Sequence, residues 1–182
     1  GGIDGLLISD PGLNLTPYQT ELNNWFTKSS AFAALATSGN ANYSESFGTY
    51  TFSSTNNASG IYVFNVNTDL DPGYSGSAVF DNFPDNAEII INVTKSGTVN
   101  INFSNFQFTN ISGNEDKLMQ RVLWNFPNAT TLNIKGGGQF RGAILSKASN
   151  TYMDASTNGR IVTTGNLIQG NVSSGLEFHN YA

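Results

Sequence analysis

The sequence predicts a mainly β chain that coils into short rungs, with one long helix near its start. Three observations predict this. First, residues 122–134, 140–145, 158–162 and 176–180 are short apolar or alternating runs, each closed by Gly, Asn or Ser. Second, residues 43–111 alternate with period two: Val99, Ile101 and Phe103 interleave with Asn100, Asn102 and Ser104. Third, residues 16–38 carry the only helical signal of comparable length. A rung of five or six residues cannot bury its own core, so such rungs must stack.

Taken in order, residues 1–15 form an N-terminal arm or rung remnant with one apolar patch, Leu6, Leu7 and Ile8. The helix follows over 16–38. Thr16 suits the N-cap, Pro17 the first helical position, and Gln19 completes a capping box. Tyr18, Leu22, Trp25, Phe26, Phe32, Ala33 and Ala36 recur at helical spacing and define one face to be buried. Ser38-Gly39-Asn40 stops it. Residues 43–182 read as rungs. Ile61, Val63 and Asn65 oppose Tyr62, Phe64 and Val66, and residues 89–93 read as a buried strand. Residues 67–88 read as one long exposed loop, and 112–121 as a capped acidic turn leading into a short helix. The whole chain, 1–182, reads as one domain.

Composition excludes several classes. Eight Lys and Arg against 13 Asp and Glu give a net charge of −5, too little positive charge for a nucleic-acid footprint. There is no Cys, so disulfide scaffolds, thiol catalysis and Cys-ligated metals are excluded. No apolar run reaches the roughly 20 residues that span a bilayer. Charged residues are only 12%, and Asn, Ser, Thr and Gly take their place, a composition that fits an extracellular surface protein. Gly1-Gly2-Ile3 is an unlikely translation start, so the chain reads as processed or excised.

Few residues suggest chemistry. His179, the sole histidine, lies two residues from Glu177, so on a strand both share a face; a hydrogen bond pinning the last strand is the favoured reading over acid/base or metal work. No Gly-x-Ser-x-Gly elbow accompanies it. Asp69, Asp71, Asp81 and Asp85 could converge on Ca2+, but their stretch lacks the ligand count and the bidentate Glu of an EF-hand loop. Otherwise no cofactor is expected. Arg141, Arg160 and Lys147 with Asp154 could sit on neighbouring rungs, yet nothing in their spacing marks a polysaccharide-cleaving site. Thr130-Thr131, Thr151 and Thr163-Thr164 fall at rung-like intervals, and Thr151, Tyr152 and Thr163 are candidate binding or assembly residues, as are Leu6, Leu7 and Ile8. Gly136-Gly137-Gly138 reads as a flexible loop, with no P-loop Lys after it.

Several runs carry a family resemblance: residues 123–130 (LWNFPNAT), 140–145 (FRGAIL), 158–161 (NGRI) and 177–181 (EFHNY), preceded by the helix end at 29–35 and the strand 62–66. Together they resemble the choice-of-anchor A domain, a family of bacterial surface proteins, over roughly residues 16–181. The same text is similar to the ice-binding-like β-solenoids. That resemblance implies an irregular right-handed β-helix with the long helix packed alongside. It also implies further Gly-rich rungs before the helix; here only residues 1–8 could be their remnant, which would leave one end of the stack open.

The expected function is therefore non-catalytic. The first reading is an extracellular surface or matrix adhesin module that binds host matrix protein or glycan, through a flat Asn/Ser/Thr-rich face with exposed aromatics. The second is a self-assembling subunit of a filament or surface layer, joined by β-augmentation, its partner being copies of itself. The third is ice binding.

Overall fold

The computed structural model describes residue 14, residues 16–170 and residues 176–179. The arm residues Leu6, Leu7 and Ile8 lie outside these. The chain begins with α1 (Thr16–Ala33), then β1 (Ala41–Ser46), β2 (Thr49–Ser54), β3 (Ile61–Val66), β4 (Gly76–Asp81), β5 (Glu88–Val93) and β6 (Gly97–Thr109). The short α2 (Glu115–Met119) precedes β7 (Val122–Phe126), β8 (Ala129–Arg141), β9 (Ala143–Ser146), β10 (Asn150–Asn158), β11 (Ile161–Thr163), β12 (Asn166–Gln169) and β13 (Phe178–His179).

The strands form two sheets. The larger runs β1-β2-β4-β6-β8-β10-β12, with β13 also beside β10; the smaller runs β11-β9-β7-β5-β3. From β2 to β12, successive strands fall alternately in one sheet and the other. Every strand pairing among the described residues is parallel except the β1–β2 hairpin. Among the described residues neither sheet closes into a barrel, and the mainly β class read from the sequence is the observed one.

The long strands bend. The first half of β6, residues 97–102, pairs with β8, whereas its second half pairs with β4. In β8 the bend falls at Gly136, where φ is +133° and an added Cβ would lie 1.8 Å from the Phe103 carbonyl oxygen. Only glycine fits there. The Gly136–Gly138 run is thus part of a strand, not the flexible loop its composition suggested. Residues 67–88 are likewise not one loop, because β4 sits within them as an inner strand.

The core lies between the sheets and follows strand parity. Tyr62, Phe64 and Val66 point inward, as do Val99, Ile101 and Phe103. Trp124 is fully buried and packs against Phe52, Phe80, Phe103, Phe106 and Phe140, with ring centroids 5.4–6.4 Å apart. Its indole N–H would be orphaned there, but it donates to the Arg141 carbonyl at 2.9 Å. Phe52, Phe80 and Phe108 share one register row and stack at 5.7 and 6.0 Å.

The α1 helix packs on the outer side of the smaller sheet. It ends at Ala33, not at 38: Ala34 turns, Leu35 bends and residues 36–38 run on without regular structure. Its apolar stripe is only partly covered: Tyr18 is 64% exposed and Leu22 37%, while Ser29 is the fully buried contact. Three asparagines in one register row hold it. Asn125 donates to the Ser29 carbonyl (2.9 Å), Asn92 to Phe32 (2.8 Å) and Asn65 to Leu35 (2.9 Å). Within the row, Asn125 donates to Asn92 (2.8 Å) and Asn92 to Asn65 (2.9 Å). The spacing of the anchor carbonyls has a geometric cause. The helical step from Ser29 to Phe32 rises about 4.5 Å, close to the ~4.8 Å between strands, and Leu35 makes the third contact from the bend just past the helix.

Candidate functional site: an asparagine-rowed face

The larger sheet turns its outward residues to solvent in two stretches. In the first half of β6 and in β8, β10 and β12, the inward positions are apolar or buried: Val99 and Ile101, Leu132 and Ile134, Thr151 and Met153. The alternate positions face out and align across strands. One row holds Thr98, Thr131, Asn150 and Asn166; the next holds Asn100, Asn133, Tyr152 and Ile168; the third holds Asn102, Lys135 and Asp154. Four strands make a surface about 14 Å wide.

Hydrogen bonds fix its geometry. Asn133 donates to Asn100 at 2.8 Å, and Asn166 donates to Asn150 at 3.1 Å. Each bonded amide keeps a further N–H and oxygen lone pairs for an outside partner. At the β6 margin, Asp69 accepts from the Asn100 backbone N–H (2.8 Å) and pairs with Lys95 (2.9 Å), and Asp71 accepts from the Asn102 amide (3.2 Å). Tyr152, 37% exposed, stands among these rows as their one aromatic ring. The other stretch, over β1, β2, β4 and the second half of β6, presents rows such as Ser46, Thr49, Ser77 and Asn105.

The residues singled out from the sequence divide sharply. Tyr152 is on the face. Thr151 is not: it is fully buried, and its hydroxyl lies 3.1 Å from Ser146 and 3.4 Å from Thr163 inside the core. The physical reason is parity. Thr151, Met153 and Ala155 take the inward positions of β10, so Asn150, Tyr152 and Asp154 take the outward ones. Thr163 is half-buried on β11 and belongs to that interior hydroxyl chain. The signal that finds Asn100, Asn133, Asn150 and Asn166 was in the alternation, but their alignment depends on register.

The four aspartates are each engaged separately. Beyond Asp69 and Asp71, Asp81 accepts from Thr109 and Asn110 (both 2.8 Å), and Asp85 from the Asn114 backbone N–H (3.0 Å). Among the described residues, no group of three or more His, Asp or Glu side chains is placed to hold a metal. Glu177 and His179 form an exposed hydrogen bond of 2.8 Å with each other, so the pair does not pin the last strand as expected; backbone bonds from the Thr157 and Gly159 N–H groups to the Glu177 and His179 carbonyls, both 2.9 Å, hold it against β10. No described helix is long and apolar enough to cross a membrane.

Comparison with known proteins fits these features. Residues 3–180 match the family described as "Putative Ice-binding-like adhesive domain". No curated protein and no solved structure matches the chain. The family is an adhesive one, which points to a surface role in contact with external partners rather than to catalysis. On a match that spans nearly its full length, the chain belongs to the ice-binding-like adhesive domain family.

Proposed function

We propose that this chain is an extracellular adhesin module that binds a glycan or a host matrix protein through the Asn/Thr rows of β6, β8, β10 and β12. The observation that carries this reading is the pair of bonded amide ladders, Asn100–Asn133 and Asn150–Asn166, flanking Tyr152. Fixed amides offer donors and acceptors that need little ordering on binding, and an aromatic ring adds stacking area. A single such hydrogen bond contributes only about 1 kcal/mol net, so useful affinity comes from repetition along the face. In this reading the chain is one domain, its alternating strands are the turns of a right-handed solenoid with α1 alongside, and its closing motifs align it with the choice-of-anchor A members. In this reading the face works without calcium, Asp69 and Asp71 at its margin serving to hold Lys95, Asn100 and Asn102.

A glycan array and a matrix-protein panel test it, with wild type beside Tyr152→Ala and the double variant Asn133→Ala/Asn150→Ala. Binding that both variants lose supports the reading; binding that survives both sinks it. Ice is the competing partner in this family. Lys135 and Tyr152 break the flatness that a water lattice requires, so no thermal hysteresis is expected.

A second reading, assembly by β-augmentation, is favoured by one observation. Leu167 on edge strand β12 is 43% exposed, although its register partners Thr151 and Leu132 are fully buried. An edge with an open core position invites another strand. Polymers seen by electron microscopy, and lost on Leu167→Lys, would support it.

A further inference from the structure

The β1–β2 hairpin turns through two residues, Phe47 and Gly48, with φ of +46° and +72°. Such a turn favours Asn-Gly or Asp-Gly. The other non-glycine residues with positive φ among those described are all asparagines: Asn57, Asn82 and Asn110. Phe47 is therefore an outlier, since a bulky side chain is disfavoured in this backbone region. It is also 94% exposed. Its neighbour Tyr74, 55% exposed, covers Gly48, where an added Cβ would meet the ring at 2.9 Å. Local folding does not require a phenylalanine there. Backbone strain combined with full exposure is the pattern of a residue kept for contact.

A slot of matching character lies elsewhere on the molecule. Between α1 and the outer side of the smaller sheet runs a groove of about 470 Å3, lined chiefly by Trp25, Phe32, Ile61, Ile90, Leu123 and Ala143. Ile61 at its mouth is 57% exposed. The hairpin tip is acidic, and one cation stands beside the groove. Glu45 accepts from the Gly48 N–H, and Asp71 lies just before the Pro72 ring that also meets Gly48. Lys28 is that cation, its Nζ 4.6 Å from the ring centroid of the lining residue Trp25, while the two lining charges, Arg121 and Glu88, pair with each other. A chain cannot reach its own groove, because β2 separates the hairpin tip from β3 and spans roughly 20 Å.

We propose that Phe47 of one copy inserts into the α1 groove of a second copy, giving a head-to-tail contact between identical chains. A knob and a slot on different parts of one surface form a heterologous interface, which propagates instead of closing as a two-fold dimer does. The contact is independent of the Asn/Thr face and of the β12 edge, so it can operate while the face holds its ligand.

Sedimentation velocity over a wide concentration range tests it, with wild type, Phe47→Asn and Ile61→Glu. Phe47→Asn restores the favoured turn residue and should raise the melting temperature by roughly 2–4 °C, so a loss of association cannot be a loss of folding. Ile61→Glu puts a carboxylate at the groove mouth against Glu45 and Asp71. Wild type is expected to form oligomers whose size grows with concentration, and each variant alone to stay monomeric. An equimolar mixture of the two should give a one-to-one pair and nothing larger, because one retains the slot and the other the knob. Wild type that stays monomeric throughout overturns the proposal, as does a mixture that fails to pair. Association unchanged in Phe47→Asn also overturns it, while leaving the β12 edge reading intact.

Discussion

Asn125 and Ser29 bond reciprocally: the asparagine amide donates to the Ser29 carbonyl at 2.9 Å, and the Ser29 hydroxyl donates to Asn125 Oδ1 at 2.6 Å. Both residues are fully buried. Asn125→Ala would strip both bonds and leave Asn92 Oδ1 without its donor. A loss of about 2–4 kcal/mol of unfolding free energy is expected, because buried polar groups left unpaired cost more than the bonds they made. Chemical denaturation measures it. A parallel change in Trp25 fluorescence would show the helix loosening from the sheet.

The outward face and the buried hydroxyls should separate cleanly under mutation. Tyr152→Ala is expected to weaken ligand binding at least about tenfold, with stability changed by roughly 0.5 kcal/mol or less. Thr151→Val should do the reverse. Its hydroxyl bridges Ser146 and Thr163 in the core, so its loss costs about 1 kcal/mol while binding stays at the wild-type level. Paired binding and denaturation curves on the two variants decide the matter. Thr151→Val protein that folds but does not bind would reverse the assignment of faces.

Gly136→Ala is expected to be severely destabilising. The backbone there has φ +133° and the new Cβ would overlap the Phe103 carbonyl, so β6 and β8 must part. The backbone strain alone costs on the order of 1–3 kcal/mol. Gly137→Ala, with open space around its Cβ, is the control. Thermal melts that rank the two equally would contradict the bend described for β8.

Alkali should unfold the β1–β2 end. Burial, with the Glu45 carboxylate adding to it, pushes the Tyr43 and Tyr50 hydroxyls up to about 12. Their unfolded value is about 10. The protonated form is thus favoured by folding, so this contribution is complete below pH 10 and fades as pH rises through 12. Stability measured by urea titration should fall across that window, and less steeply in Tyr43→Phe/Tyr50→Phe.

Much of this architecture was legible in the residues. Period two separated the two sides of Ile61–Val66 without saying which faces the core and gave Val99–Phe103 its apolar and polar sides, and the capped acidic turn at 112–116 marked α2, where the Asn114 side chain accepts from the Lys117 N–H. The parity of Thr151 was equally available, since Met153 and Ala155 follow it. What sequence could not supply was register. Asn100, Asn133 and Tyr152 lie 33 and 19 residues apart and become one row only through strand pairing. The Asn65–Asn92–Asn125 row was hidden for the same reason. In sequence these look like polar interruptions of buried strands, and only the helix lying over them explains why an amide belongs there. The helix stripe was overread because helical spacing reports which residues share a side, not how much of that side is covered.

The near-match between helix rise and strand spacing also limits how this architecture can grow. Three residues turn a helix by roughly 300°, so each added strand shifts the anchoring side backwards by about 60°. After three or four strands the helix must present a different flank, which agrees with its bonded carbonyls ending at Ser29 and with Leu22 and Tyr18 standing free of the sheet. Lengthening such a molecule by one repeat therefore demands a compensating insertion far away in the chain, or a break in the helix. Relatives of different length should differ by coupled changes at these two distant places.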